Sequence, residues 1–156
     1  MAPDSDDTVG FRLWPPFAVG LPWLAGFLAT RQWGDPVELG EWRVPLGWAL
    51  VAFFVVWNGW ALWLFARHDT GLLPGQATTM LVEEGPYRVS RNPLYLGLIA
   101  AYLGLALLAP SVWAIVLVPV AVLLLLWGSI WPEERYLRAR FGESYAAYTK
   151  RVRRWL

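Results

Sequence analysis

Four apolar stretches constrain this chain more than any other feature. They cover residues 11–29, 44–66, 93–109 and 112–131. Each approaches the length of about 20 residues that a helix needs to cross a bilayer. Apart from Arg12 at the edge of the first, none holds a charged residue. Hydrophobic residues make up 57% of the chain and charged residues 16%, against about 25% charged in an ordinary soluble domain. The 12 Trp suit membrane–water interfaces. The predicted fold is therefore an all-α integral membrane protein with four transmembrane helices. Pro15, Pro16 and Pro22 predict a kinked or partly re-entrant first span. Only Pro110 and Ser111 part the last two runs, so these form a tight helical hairpin, with Pro119 inside its second arm.

Charge placement gives the orientation. With four crossings, one side holds Arg12, Arg67, Arg88, Arg91 and the seven basic residues of 132–156. The other side holds only Arg31 and Arg43. The positive-inside rule then puts both termini and the 67–92 loop in the cytoplasm. The acidic start (Asp4, Asp6, Asp7) lacks the positive region of a signal peptide. The net charge of +1 gives no reason to expect a nucleic-acid partner. Zero Cys and a single His, His68, exclude a thiolate site and a multi-His metal cage, so no metal is expected. Spans without carboxylates argue against an ion-coupled transporter.

Two polar segments carry the chemistry. The loop of about 26 residues between the second and third runs is long for a helical bundle. It holds the turn residues Asp69, Gly71, Pro74-Gly75 and Gly85-Pro86 and ends at Arg91-Asn92-Pro93. Pro93 suits a first helical position, and a helix start offers N–H groups and a positive dipole end to an anion. Asn92 also suits plain capping. In the tail, 132–156, Leu137, Phe141, Tyr145, Tyr148, Val152 and Trp155 recur at helical spacing, with a break near Gly142. The opposite face is basic, as in a helix on an anionic leaflet, so Tyr148 and Trp155 read as membrane anchors. Glu133 and Glu134 stand at the mouth of the fourth span, either as a salt-bridged collar or as the grip on a ligand ammonium. Asn58 and the Trp57, Trp60, Trp63 series read as interhelix bonding and packing.

Gly85-Pro86-Tyr87, the run Arg91 to Gly97, Glu133 to Leu137 and Phe141 to Tyr145 together resemble the isoprenylcysteine carboxyl methyltransferase family, its small bacterial members and the related phospholipid N-methyltransferases. The resemblance covers about 79–156. It implies a methyltransferase that uses S-adenosylmethionine and acts on a lipophilic or membrane-embedded carboxyl, amine or thiol group, in the bacterial cell membrane and among its lipids. Carried over residue by residue, the cofactor-binding set is Thr79, Met80, Leu81 and Val82, then Tyr87, then Asn92, Pro93, Leu94 and Tyr95, then Glu133. Arg91, Glu134 and Tyr95 are candidates for a catalytic role, with His68 a further possible base. Asn92 stands where the family often has His, and Asn is no general base. Ser129 stands where the eukaryotic carboxyl methyltransferases carry a substrate-binding Arg. A phospholipid amine is the alternative acceptor, and a non-enzymatic four-helix scaffold or transporter subunit is the alternative from another class.

Overall fold

The computed structural model describes residues 10–68 and 78–156. The turn residues Asp69, Gly71 and Pro74-Gly75 and the acidic Asp4, Asp6 and Asp7 lie outside the described residues. Within them the chain is helical, with no strand. Helix α1 spans Pro15–Trp33, α2 Arg43–Arg67, α3 Pro93–Leu108, α4 Val112–Val116, α5 Val118–Leu125 and α6 Trp131–Arg151. A 3-10 turn, Gly85–Arg88, precedes α3, and a π-helical turn, Leu126–Ile130, joins α5 to α6.

The prolines of the first run take two places in α1. Pro15 and Pro16 open α1 rather than break it, because a fixed φ and a missing N–H cost nothing in a first turn. Pro22 lies inside α1 without ending it. The fourth run is not one regular helix. Pro119 cannot donate a backbone hydrogen bond, and the helix breaks at Leu117, two residues earlier. The π-helical turn follows, and its Gly128 carbonyl accepts from the N–H groups of Arg12 (2.9 Å) and Leu13 (3.1 Å). Ser129 Oγ donates to Leu13 O at 2.8 Å. The segment before α1 is thereby tied across the turn that leads into α6.

α2 packs antiparallel on α3, with Gly47 beside Gly104 and Leu108 at one end and Asn58 beside Leu94 and Gly97 at the other. Trp57 Nε1 donates to Pro93 O at 3.0 Å, and Asn58 Nδ2 donates to Leu94 O at 3.1 Å, the interhelix role expected of Asn58. α1 packs on α3, α4 and α5. Ser111 caps α4 by accepting from Ala114 N at 3.1 Å, and Asp35 accepts from Val112 N at 3.0 Å, which pins the short α3–α4 link.

Long apolar stripes stay uncovered. Phe17, Leu21, Leu24 and Leu28 expose one face of α1, and Val116, Val120, Leu123 and Trp127 one face along α4, α5 and the π turn. α2 exposes Val55, Val56, Trp60 and Trp63. Among the described residues, α2 is the helix long and apolar enough to cross a membrane by length and composition. α3 is apolar but has 16 residues. The expected four spans thus reduce, on these criteria, to one clear candidate.

Candidate functional site

A cavity of about 450 Å³ lies where five parts of the chain meet. The C-terminal half of α2 supplies Phe54, Asn58, Leu62 and Phe65, spaced to share one helix face. The start of α3 supplies Leu94, Tyr95 and Leu98, and the start of α6 supplies Glu133 and Leu137. The segment before the 3-10 turn supplies Thr78, Met80, Leu81 and Val82. Phe11, Trp14, Pro15 and Pro16 close it from the N-terminal side.

The wall of this cavity depends on Gly85. Its φ is +53°, a conformation that side chains resist, and a Cβ there would come within 2.8 Å of the Trp60 ring. Glycine lets the 3-10 turn lie on α2, where Val82 and Tyr87 join Ala61 and Leu64 in one buried cluster. Tyr87 is held further by Tyr148, whose hydroxyl donates to Tyr87 O at 2.7 Å. Burial, then the nearby Glu133, pushes the Tyr87 hydroxyl well above its usual range, so it stays a proton donor.

The acidic pair splits into two roles. Glu134 is buried and taken up by cations: Arg154 grips it with Nε and Nη2 at 2.8 Å each, and Arg91 stands 3.4 Å away. That is the collar reading. Glu133 faces the cavity, has no ion-pair partner among the described residues, and accepts one hydrogen bond, from Tyr95 Oη at 2.6 Å. Burial raises its carboxyl above the ordinary value of 4.5; the Tyr95 bond offsets part of this, and the neighbouring Glu134 adds to it.

Of the residues expected to hold a cofactor, Met80, Leu81, Val82, Tyr87, Leu94, Tyr95 and Glu133 line this one cavity. Thr79, Asn92 and Pro93 do not; the neighbouring Thr78 does. Asn92 is turned to the C-terminal tail and donates from Nδ2 to Arg154 O at 3.1 Å. Pro93 is buried, with its carbonyl taken by Trp57. Of the catalytic candidates, Arg91 and Tyr95 line the cavity and Glu134 does not. His68 does not either; its Nε2 is 3.8 Å from Glu84 Oε1. Among the described residues no group of three or more His, Asp or Glu could hold a metal ion.

The tail departs from the membrane-anchor expectation. Gly142, at φ +49°, breaks α6 as expected, but Tyr145 and Tyr148 beyond it are buried against protein. Tyr148 lines the cavity, and Trp155 packs against the cluster of Tyr95, Leu125 and Ile130. Arg153 O accepts from Arg91 N at 2.9 Å, and Arg154 O accepts from Ser90 Oγ at 3.1 Å. Arg151 pairs with Glu83. The tail is a strap over the segment that forms the cavity wall. Helical spacing in a sequence marks an apolar face but not whether lipid or protein covers it.

The sequence led to the N-terminal spans as shaping an acceptor tunnel but did not single out Phe11, Trp14, Pro15 and Pro16, which line the cavity. The available signal was an aromatic segment leading into a Pro-Pro helix start.

Helices with wide exposed apolar stripes, among the described residues, suit a membrane-associated protein, and the comparison with known families supplies the class, a membrane methyltransferase. The phospholipid methyltransferase family matches residues 42–144, about two-thirds of the chain, and the chain belongs to that family. The match begins at the foot of α2 and runs past Glu133 into α6. No curated protein and no solved structure matches it.

Proposed function

We propose that the chain is an S-adenosylmethionine-dependent methyltransferase that acts on a lipophilic acceptor at the cytoplasmic face of a membrane. The observation that carries this reading is Glu133: a carboxylate on the wall of a mostly apolar cavity, without a cation beside it among the described residues. Such a charge is costly unless a ligand cation completes it. A non-enzymatic scaffold has no use for it.

The residues present fit the cofactor. Glu133 would hold its ammonium group by a charge-assisted hydrogen bond. Tyr87 and Tyr95 offer aromatic surface to a sulfonium or an adenine. The Met80–Val82 backbone would offer donors and acceptors to the adenine edge. The volume lies within the usual range for small-ligand sites, about 300–1,000 Å³. When bound, S-adenosylmethionine supplies an electrophilic methyl group. The chain's part is to align the acceptor with that methyl and to keep water out. Among the residues considered as a base, Tyr95 lines the cavity, and its hydroxyl already donates to Glu133.

The exposed stripes on α1, α2 and α4–α5 support insertion in a cell membrane, while the four crossings with both termini cytoplasmic rest on the four apolar runs and the distribution of Lys and Arg. Trp14 and Leu62 line the cavity and remain exposed, which supports lateral access from the lipid. The family match favours a phospholipid amine as acceptor. Ser129, the position of the carboxylate-binding Arg in the resembled carboxyl methyltransferases, is buried and bound to Leu13, which disfavours a prenylcysteine carboxylate.

The test is transfer of a labelled methyl from S-adenosylmethionine by the protein in vesicles of phosphatidylethanolamine and phosphatidylcholine. Label in the mono- and dimethylated lipid is the expected result. Label recovered as the methyl ester of an added prenylcysteine with a free carboxylate, and none on lipid, would select the second acceptor. Label in neither, by protein that binds S-adenosylhomocysteine, would contradict both acceptors.

A further inference from the structure

The exposed stripe along α4, α5 and the π turn does not stop at Trp127. Backbone angles stay right-handed helical at Leu125, Leu126, Ile130 and Trp131, so α5, the π turn and the first half of α6 form one rod as far as Gly142. Residues 118–141 of that rod measure about 36 Å at about 1.5 Å per residue, more than the hydrocarbon core of about 30 Å. Along its open side Trp131, Arg135 and Arg138 follow Trp127 at helical spacing, all exposed. The face therefore changes from aliphatic to indole to guanidinium, in the order of acyl chain, interface and headgroup. Arg12 joins it from the segment tied to the π turn, with its Cζ 5.6 Å from the centre of the Trp127 ring. Among the described residues, none of Arg12, Arg135 and Arg138 forms an ion pair. The neighbouring carboxylates are turned inward, Glu134 to Arg154 and Glu133 to the cavity. In the tail, by contrast, Arg151 pairs with Glu83 and Arg154 with Glu134.

We propose that this face is the seat of an anionic phospholipid of the cytoplasmic leaflet. Arg12, Arg135 and Arg138 meet headgroup phosphates, Trp127 and Trp131 lie at the edge of the hydrocarbon, and Val120 and Leu123 meet the acyl chains. A guanidinium stacked on an indole presents its N–H groups edge-on, in the planar arrangement that suits phosphate oxygens. A zwitterionic headgroup brings its own ammonium to offset its phosphate, whereas three unpaired cations favour a headgroup with net negative charge. Glu133 follows Trp131 by two residues, so the same contact holds the cavity at headgroup depth. The proposal concerns a second lipid site, outside the cavity, and stands without the methyltransferase reading.

The test counts phospholipid bound to the detergent-solubilised full chain by native mass spectrometry, comparing phosphatidylglycerol with phosphatidylcholine of the same acyl chains. Wild-type protein should hold phosphatidylglycerol about fivefold more tightly or better, the worth of one basic group at an anionic surface. Arg12→Gln combined with Arg135→Gln and Arg138→Gln should bring the two lipids within about twofold of each other. Lys150→Gln with Arg153→Gln removes two exposed cations from the tail and should leave the preference in place. If the triple variant does not fold, Arg135→Gln with Arg138→Gln carries the comparison, with a partial loss of preference expected. No preference in the wild-type protein would overturn the proposal and leave the basic face to an acidic protein partner. A preference that survives the substitutions on this face, or that the tail pair abolishes equally, would overturn it too.

Discussion

Glu133→Gln should stabilise the empty protein and weaken its ligand at once. The substitution keeps the shape of the side chain and an oxygen to accept from Tyr95 Oη, and removes only the charge. Burial holds the Glu133 carboxyl above its ordinary value of 4.5 in the folded chain. A group with a raised folded value adds stability that is complete below the unfolded value and is lost as pH rises through the folded one. At neutral pH the ionised side chain is therefore a net burden. Relieving it should gain about 1 kcal/mol, the low end for a buried polar group short of partners. For a chain of this length that is about 2–4 °C in Tm. Binding moves the other way. Losing a hydrogen bond to a charged group costs about 1.5–3 kcal/mol, or roughly ten- to a hundredfold in Kd. Thermal melting in detergent, with and without S-adenosylhomocysteine, reads both effects. The Tm advantage of Glu133→Gln should shrink as pH falls toward 4.5. A variant that melts lower than wild type at neutral pH, or that binds the ligand unchanged, would refute the reasoning.

Three further outcomes are expected. Gly97→Ala puts a Cβ 1.8 Å from Asn58 Oδ1 and should cost about 1–3 kcal/mol on melting, whereas Gly59→Ala, with nothing within 4 Å, should be neutral or stabilising. Tyr148→Phe removes the donor to Tyr87 O and should cost about 1 kcal/mol, together with a measurable loss of ligand affinity because both residues line the cavity. Arg154→Gln leaves Glu134 with Arg91 alone; its partial exposure lowers the cost from the usual value for a broken buried pair to about 1–3 kcal/mol, and adding Glu134→Gln should restore part of that in a melting experiment.

Much of the site was legible because the resemblance to a known family rests on short local motifs. Tyr95 sits in the first turn of α3 and Glu133 in the first turn of α6, and Pro93 and the Glu-Glu pair mark those turns in the sequence. The 2.6 Å contact between them brings together residues 38 apart, which no spacing rule reaches. By residue type alone the two glutamates looked alike, and only the family resemblance singled out Glu133. Arg154, twenty residues on, makes one of them structural and leaves the other to the cavity. The reading of Asn92 as a cofactor ligand met the same difficulty: its side chain is occupied by a carbonyl of the returning tail, a contact set by tertiary packing. The π-helical turn was not legible either. It depends on Gly128 accepting two backbone bonds from Arg12 and Leu13, at the far end of the chain. The apolar runs located the helices well, but Pro119 divided the fourth where hydropathy showed one stretch.

Titration of detergent-solubilised, folded protein with S-adenosylhomocysteine tests the central claim most directly. The account requires saturable binding at one site per chain, and competition by S-adenosylmethionine. A sample with a cooperative melting transition that shows no binding at millimolar ligand would contradict the assignment of the Glu133 cavity as a cofactor site, and with it the proposed reaction.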